Sequence, residues 1–234
     1  MSLSGDAGVP EEVLPLFHQA SRLVRDCCRL ACMTRSGPNS WSSLEGFGNG
    51  FMRARMWTQY AGNHSGLCLA FDQARLIEAA KACERMDVKL YKAPVRYRTE
   101  EERELPLSFP IEQVRDRPDQ FAAEAFPSFV AALYFSKSWD WSTESEYRFL
   151  VHGQVAEYEY IDVSAALTGV FCGSRMPESR LQELRFLCPD LWSTGRIFRV
   201  TWINGLPYAR SVTHSVIDPA TSKWKVPPAP GIAI

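Results

Sequence analysis

The chain has 234 residues, 46% of them hydrophobic and 23% charged, with a formal net charge of −1. That length can bury a sizeable core, and the near-neutral balance disfavours a general binder of nucleic acid or anionic membrane, both of which need a positive field. No apolar run approaches the roughly 20 residues that cross a bilayer.

The N-terminal MSLSGDAGVPEEVLPLF has no positive leader ahead of a long apolar stretch, so no secretory signal is expected. The odd set of seven cysteines, mostly in apolar strings such as LCLAF and VFCG, reads as reduced, buried thiols in a cytoplasm. Cys27-Cys28-x3-Cys32 has neither paired CxxC knuckles nor a partner His pair, so small hydrophobes on a core strand are expected and no metal site.

Residues 10–26 open on Pro10-Glu11-Glu12, a good helix start, with Leu14, Phe17 and Leu23 on one face. Residues 26–34 read as a buried strand, and the Ser/Gly/Asn/Pro-rich 36–50 as a mobile loop. Residues 52–62 suit a helix ended by Gly62-Asn63, both tolerant of a left-handed backbone. Leu67 to Phe71 is then a short central strand and Asp72 to Met86 a helix. Val88 to Tyr97 is a strand at or near an edge, because Pro94 has no N–H for a ladder bond.

Residues 99–118 read as an insertion or hinge, and 121–136 as a helix broken by Pro127. Strands are expected at 146–152, 158–163, 168–172 and 196–203, a helix at 177–187, and a loosely ordered tail at 214–234. These elements imply one α+β domain over 1–234, core about 10–210, with a mixed, largely antiparallel central sheet flanked by helices.

Two segments carry chemistry. In Met56 to Asp72, a His-bearing turn between helix and strand holds the His64 imidazole at a sheet end, where it can serve as acid, base or ligand contact. A cap or loop-carbonyl bond explains His64 equally well. Tyr60 offers a hydroxyl, though an aromatic there is more often core. In Lys137 to Arg148, strand periodicity puts Glu144, Glu146 and Arg148 on one face, with Ser145, Tyr147 and Phe149 on the other. That face suits a polar ligand, with Trp141 and Lys137 nearby; the plain alternative is a solvated surface with a Glu146–Arg148 ion pair. Phosphate-loop, GxGxxG, GxSxG and HExxH motifs are missing, which disfavours common NTPases, Rossmann dehydrogenases and serine hydrolases.

Together these residues resemble the bacterial and phage-associated family known as domain of unknown function 2971. The shared features are Cys32-Met33-Thr34, the run from Met56 to Phe71, Lys137 with Trp141, Glu144-Ser145-Glu146-Tyr147-Arg148, and Val170 to Gly173. The likeness spans roughly 26–205. Members usually begin with a Tyr-rich strand, a helix and an Asn-Asp-Pro-Phe turn that have no counterpart here, so a site using that lead-in is expected to be incomplete.

Glu144-x-Glu146 at a strand start also looks like the Glu-x-Glu element of the ADP-ribosyltransferases. That resemblance implies an NAD-using enzyme of a phage-defence or toxin system. Glu146 would stabilise the cation formed as nicotinamide leaves and Glu144 would orient the acceptor. Tyr60, His64 or Trp141 would contact the dinucleotide. The competing expectations are a non-catalytic module that binds a small ligand or partner through Glu144, Glu146, Arg148 and His64, and, least favoured, a nucleic-acid-acting enzyme.

Overall fold

The computed structural model of the chain describes residues 13–36, 50–102, 111–213, 216–217 and 224–225. The expected helix start at Pro10 to Glu12, the inward face of Leu14, Phe17 and Leu23, nearly all of the 36–50 loop, the middle of 99–118 and most of the tail lie outside the described residues.

In chain order the elements are α1 (Val13–Asp26), β1 (Cys28–Thr34), α2 (Ala54–Tyr60), β2 (Leu67–Phe71), α3 (Gln73–Ala80), β3 (Val88–Pro94) and β4 (Arg96–Arg98). There follow α4 (Ile111–Asp116), α5 (Pro118–Tyr134), β5 (Ser136–Ser138), β6 (Glu146–Gly153), β7 (Leu167–Cys172), α6 (Glu178–Leu187), α7 (Pro189–Ser193), β8 (Ile197–Ile203) and β9 (Leu206–Ser211). A two-residue antiparallel ladder, β10 (Val216–Ile217) with β11 (Trp224–Lys225), lies in the tail. No described helix is long and apolar enough to cross a membrane.

The α+β class holds, with antiparallel and mixed sheets. Its strands are shared between two main sheets because the chain forms two compact units: Met1–Arg35 with Ala80–Ile161, and Ser36–Ala79 with Asp162–Ile234. The chain leaves the first unit after β1 and returns to it along α3. Asp72 starts that helix, its Oδ1 accepting the Arg75 N–H at 2.8 Å in the manner of an N-cap.

In the first unit, β6 is the middle strand of the antiparallel order β1-β6-β3. Pro94 closes the edge strand β3, where its missing N–H costs no ladder bond. α5 runs unbroken through Pro127, giving up one backbone bond while Phe126 and Val130 hold it in a core with Cys28, Phe135 and Leu150. On the opposite face of β6, Val151 packs with Cys83 and Val88. Both faces of the middle strand are therefore covered.

The expected strand at 158–163 is irregular: Glu159 pairs with Arg85 at 2.7 Å, Glu157 O accepts from Arg29 Nε, and Tyr158 and Tyr160 are exposed. Side-chain bonds, not a ladder, hold that segment.

The second unit carries the order β2-β7-β8-β9, in which only β7 and β8 are parallel; α6 and α7 form their crossover. β2 is an edge strand and not the expected central one. Its alternation explains its composition, for Cys68 and Ala70 pack against the Phe51, Trp57, Phe171, Phe198 and Val200 core while Leu67 and Leu69 face outward.

A candidate carboxylate site and a candidate His64 site

The structure gathers Lys137, Trp141, Glu144, Glu146 and Arg148 within the first unit, whereas Tyr60 and His64 belong to the second. The strand phasing expected for Glu144 fails for a local reason. Trp139–Glu144 forms a 3-10 turn, Ser145 takes a left-handed backbone at φ 49°, and β6 begins only at Glu146. From there the register with β1 is fixed. Thr34 stands opposite Glu146 and Cys32 opposite Arg148, while Arg35 N–H donates to Ser145 O.

The kink brings both carboxylates to one ammonium. Lys137 Nζ lies 2.5 Å from Glu144 Oε2 and 2.7 Å from Glu146 Oε1, with the ring centre of Trp141 4.3 Å away. Arg148 Nε donates to Glu146 Oε2 at 2.6 Å, and its Nη1 donates to Tyr134 O at the carbonyl end of α5. Two carboxylates and two cations thus balance in a buried cluster. The Glu144 side chain is 1% exposed and Glu146 7%, against 21% for Lys137 and 12% for Arg148. The polar face is therefore a covered one and not the solvated surface of the plain alternative, and it continues through Leu150 and His152 into the core beneath α5, with His152 stacked on Phe126 at 3.7 Å.

Burial opposes ionisation of Glu146, but the bonds from Arg148 and Lys137 outweigh it and hold the carboxyl down at about 2. Burial likewise works against the Lys137 ammonium, and the same carboxylates more than offset it, raising its pKa. Glu146 is in consequence a permanent anion at physiological pH.

Sequence reasoning missed two supports. Tyr97 on β4 sits beside Lys137 on the parallel strand β5, and its hydroxyl accepts the Glu146 N–H at 2.7 Å. Thr34 Oγ1 donates to Glu144 O at 2.5 Å. Thr34 is at least visible in the sequence as the last residue of Cys32-Met33-Thr34. Tyr97 carries no such signal, since nothing local reveals which strand lies alongside. Trp139 is 60% exposed and stands outside the cluster.

In the second unit the turn after α2 holds three successive left-handed residues, Gly62, Asn63 and His64, at φ 53°, 51° and 71°. Asn and His tolerate that region better than most side chains. The turn docks by backbone on the loop after β7: Arg175 N–H donates to His64 O at 2.9 Å and Gly173 N–H to Gly66 O at 3.0 Å. A Cβ at Gly173 would lie 2.1 Å from His64 O, which explains why glycine ends that strand.

The His64 ring stacks along Trp57 at 6.3 Å and meets Trp202 edge-on at 5.8 Å. Burial, then the nearby Arg175 charge, lowers its pKa, so the ring is neutral at physiological pH. It makes no cap or carbonyl bond through Nδ1, and Tyr60 is 62% exposed, not core.

All seven cysteines carry thiols without disulfides. Cys28, Cys83 and Cys172 are buried, but Cys32 is exposed, against expectation. Among the described residues no group of three or more His, Cys, Asp or Glu side chains is arranged to hold a metal ion.

No curated protein and no solved structure matches the chain. One family model does, over residues 56–149, a span that runs from the His64 turn through Lys137 and Trp141 to Arg148. Over that span the chain is similar to the family described as Protein of unknown function (DUF2971).

Proposed function

We propose that the chain is an NAD-using, ADP-ribosyltransferase-like enzyme that works through the Glu144–Glu146 pair, in a phage-defence or toxin setting. The observation that carries this reading is the Lys137 bridge between Glu144 and Glu146, which favours an ionised Glu146. A carboxyl held at about 2 is useless as a neutral-pH acid or base, yet suited to stabilising a cation. In the proposed step the bond from ribose C1′ to nicotinamide breaks and its electron pair leaves with nicotinamide. The cation left at C1′ faces Glu146, and an acceptor adds to it, losing a proton.

The Lys137 ammonium, resting against two carboxylates and the Trp141 face, marks where positive charge is favoured. It yields Glu146 Oε1 to the substrate and stays paired with Glu144. The test is nicotinamide release and label transfer from adenylate-labelled NAD to protein and nucleic-acid acceptors. Glu146→Gln is expected to lower turnover by roughly 10²–10³-fold, as loss of one transition-state electrostatic contact does. Absence of both NAD binding and turnover in the unaltered chain sinks the reading.

A second reading, a non-catalytic module that binds a small ligand or partner, is favoured by a different observation: both Glu146 oxygens already hold cations. On that reading the unaltered chain turns over no NAD, and Glu146→Gln weakens ligand or partner binding.

A further inference from the structure

A strand at a sheet edge carries backbone N–H and C=O groups with no ladder partner, and proteins blunt such edges with charge or proline. The two main sheets end in four edge strands, β1, β3, β2 and β9. β1 carries Arg29, β3 carries Lys89, Lys92 and Pro94, and β9 carries Pro207 and Arg210. β2, Leu-Cys-Leu-Ala-Phe, has neither a charge nor a proline. Its irregularity lies between Ala70 and Phe71, past both leucines.

The ladder fixes which groups are open. Gly173 N–H donates to Gly66 O, so that pair is a bonded one, and antiparallel pairs alternate between bonded and unbonded. Cys68 and Ala70 therefore turn their backbone groups to β7. Leu67 and Leu69, opposite Cys172 and Val170, turn theirs to the open edge. Val170 accordingly points its own N–H the other way, to Arg196 O at 3.0 Å. Among the described residues no backbone group outside the ladder bonds Leu67 or Leu69. Their side chains share a face with Val170 and Cys172, both members of a buried cluster, yet stand 40% and 48% exposed. β2 thus presents two N–H groups, two carbonyls and two apolar side chains along one edge.

The two ends of the strand differ in charge. Before its start, Arg175 is exposed, bonds His64 O through its backbone N–H, and has no ion-pair partner among the described residues. At its far end Asp72 accepts the Arg75 N–H on Oδ1 and keeps Oδ2 unbonded among the described residues, while the Arg75 guanidinium donates to Ala165 O at 3.2 Å. An antiparallel neighbour with the same two ends sets cation against acid twice, where a parallel one sets like against like.

We infer that β2 docks on the β2 of a second copy of this chain, antiparallel about a two-fold axis, with Leu67 of each copy opposite Leu69 of the other. Each such pair exchanges two N–H···O=C bonds, and the four leucines meet on one face. Asp72 of each copy comes to the His64 turn of the other, beside Arg175. The contact is isologous and closes at two copies. A foreign extended segment can use the same backbone groups but does not answer both charged ends. The pairing is independent of the reaction assigned to Glu146.

Sedimentation of the full chain over a range of concentrations, with amide hydrogen exchange at Leu67 and Leu69, tests it. A monomer–dimer equilibrium is expected, with both amides protected only where dimer forms. Leu69→Pro removes an outward N–H but no ladder bond within the chain. Leu69→Lys puts two ammonium groups on the shared apolar face, and Arg175→Glu sets acid against Asp72. Each change acts twice across the two-fold, so each is expected to weaken dimerisation by roughly tenfold or more. Glu146→Gln is expected to leave it unchanged. A chain that is monomeric at every concentration overturns the inference, as does an assembly that Leu69→Lys and Arg175→Glu leave intact, or one that grows without limit. Leu67 and Leu69 amides protected at every concentration overturn it too, since another segment of the chain then occupies the edge. The exchange measurement uses the unaltered chain, so it decides even where a variant misfolds.

Discussion

The two candidate sites solve opposite problems of buried polarity. Around Glu146 every charge has an opposite charge against it: Lys137 bridges two carboxylates and Arg148 holds the far oxygen of one while bonding the end of α5. Around His64 the backbone is bonded to Trp57 and to the loop after β7 and packed against Gly173, but two ring nitrogens, His64 Nδ1 and Trp202 Nε1, have nothing to bond among the described residues. A saturated cluster is held together by its own partners, so removing any one should damage the fold. An unsaturated one already carries a cost, so removing its polar atom should damage very little. Stability measurements on the two sites are therefore expected to diverge sharply.

Arg148→Met tests the saturated side most severely. It leaves Glu146 with one cation instead of two and strips the Tyr134 carbonyl of its donor, so a loss of about 3–5 kcal/mol is expected in chemical denaturation. A loss below about 1 kcal/mol would show that the cluster is solvated and erase the contrast. Acid unfolding probes the same cluster without mutation. The folded Glu146 carboxyl lies near 2, below its ordinary 4.5, so its stabilisation is complete above about pH 4.5 and drains away as pH falls towards 2. That contribution is on the order of 3 kcal/mol, and the acid-dependent slope should flatten in Glu146→Gln.

The same physics decides how legible each site is in the sequence. Strand β6, the turn ending α2 and the edge position of β3 are readable because short-range rules govern them: alternation, left-handed tolerance, proline's missing donor. Two features of the first site are hidden. Ser145's left-handed backbone shifts Glu144 out of strand phase, and a serine there gives no warning of it. The covering of the Glu146 face by α5 depends on Phe126 and Val130 packing over a strand distant in sequence, and periodicity within either element does not encode that contact. Trp202 escapes for a similar reason. It lies on β8, far along the chain from His64, and only the sheet order brings its indole to the imidazole.

On the second site, Gly173→Ala attacks the backbone frame. With a Cβ 2.1 Å from His64 O, either the turn or the loop after β7 must move, and a cost of about 1–3 kcal/mol is expected from thermal or chemical unfolding. It should also release the left-handed backbone at His64, visible in that residue's amide and Cα chemical shifts. An unchanged His64 environment would mean that the glycine is not what holds the turn.

The smallest effect expected is the one that discriminates best. His64→Phe keeps an aromatic ring against Trp57 and Trp202 while deleting the unpartnered Nδ1. The lost Nε2 contact to Thr58 is long, at 3.5 Å, and Thr58 keeps its bond to Ala54 O. The left-handed φ of 71° suits Phe less than His, which works against the variant by a fraction of the cost of a strained residue. Relief of the orphaned acceptor works for it by about 1 kcal/mol or more. The two nearly cancel, so a change within about 1 kcal/mol of zero is expected, an outcome that no member of the Glu146 cluster should match. A His64→Phe loss as large as that of Arg148→Met would mean that Nδ1 is bonded after all, and the distinction between a saturated and an unsaturated site would collapse.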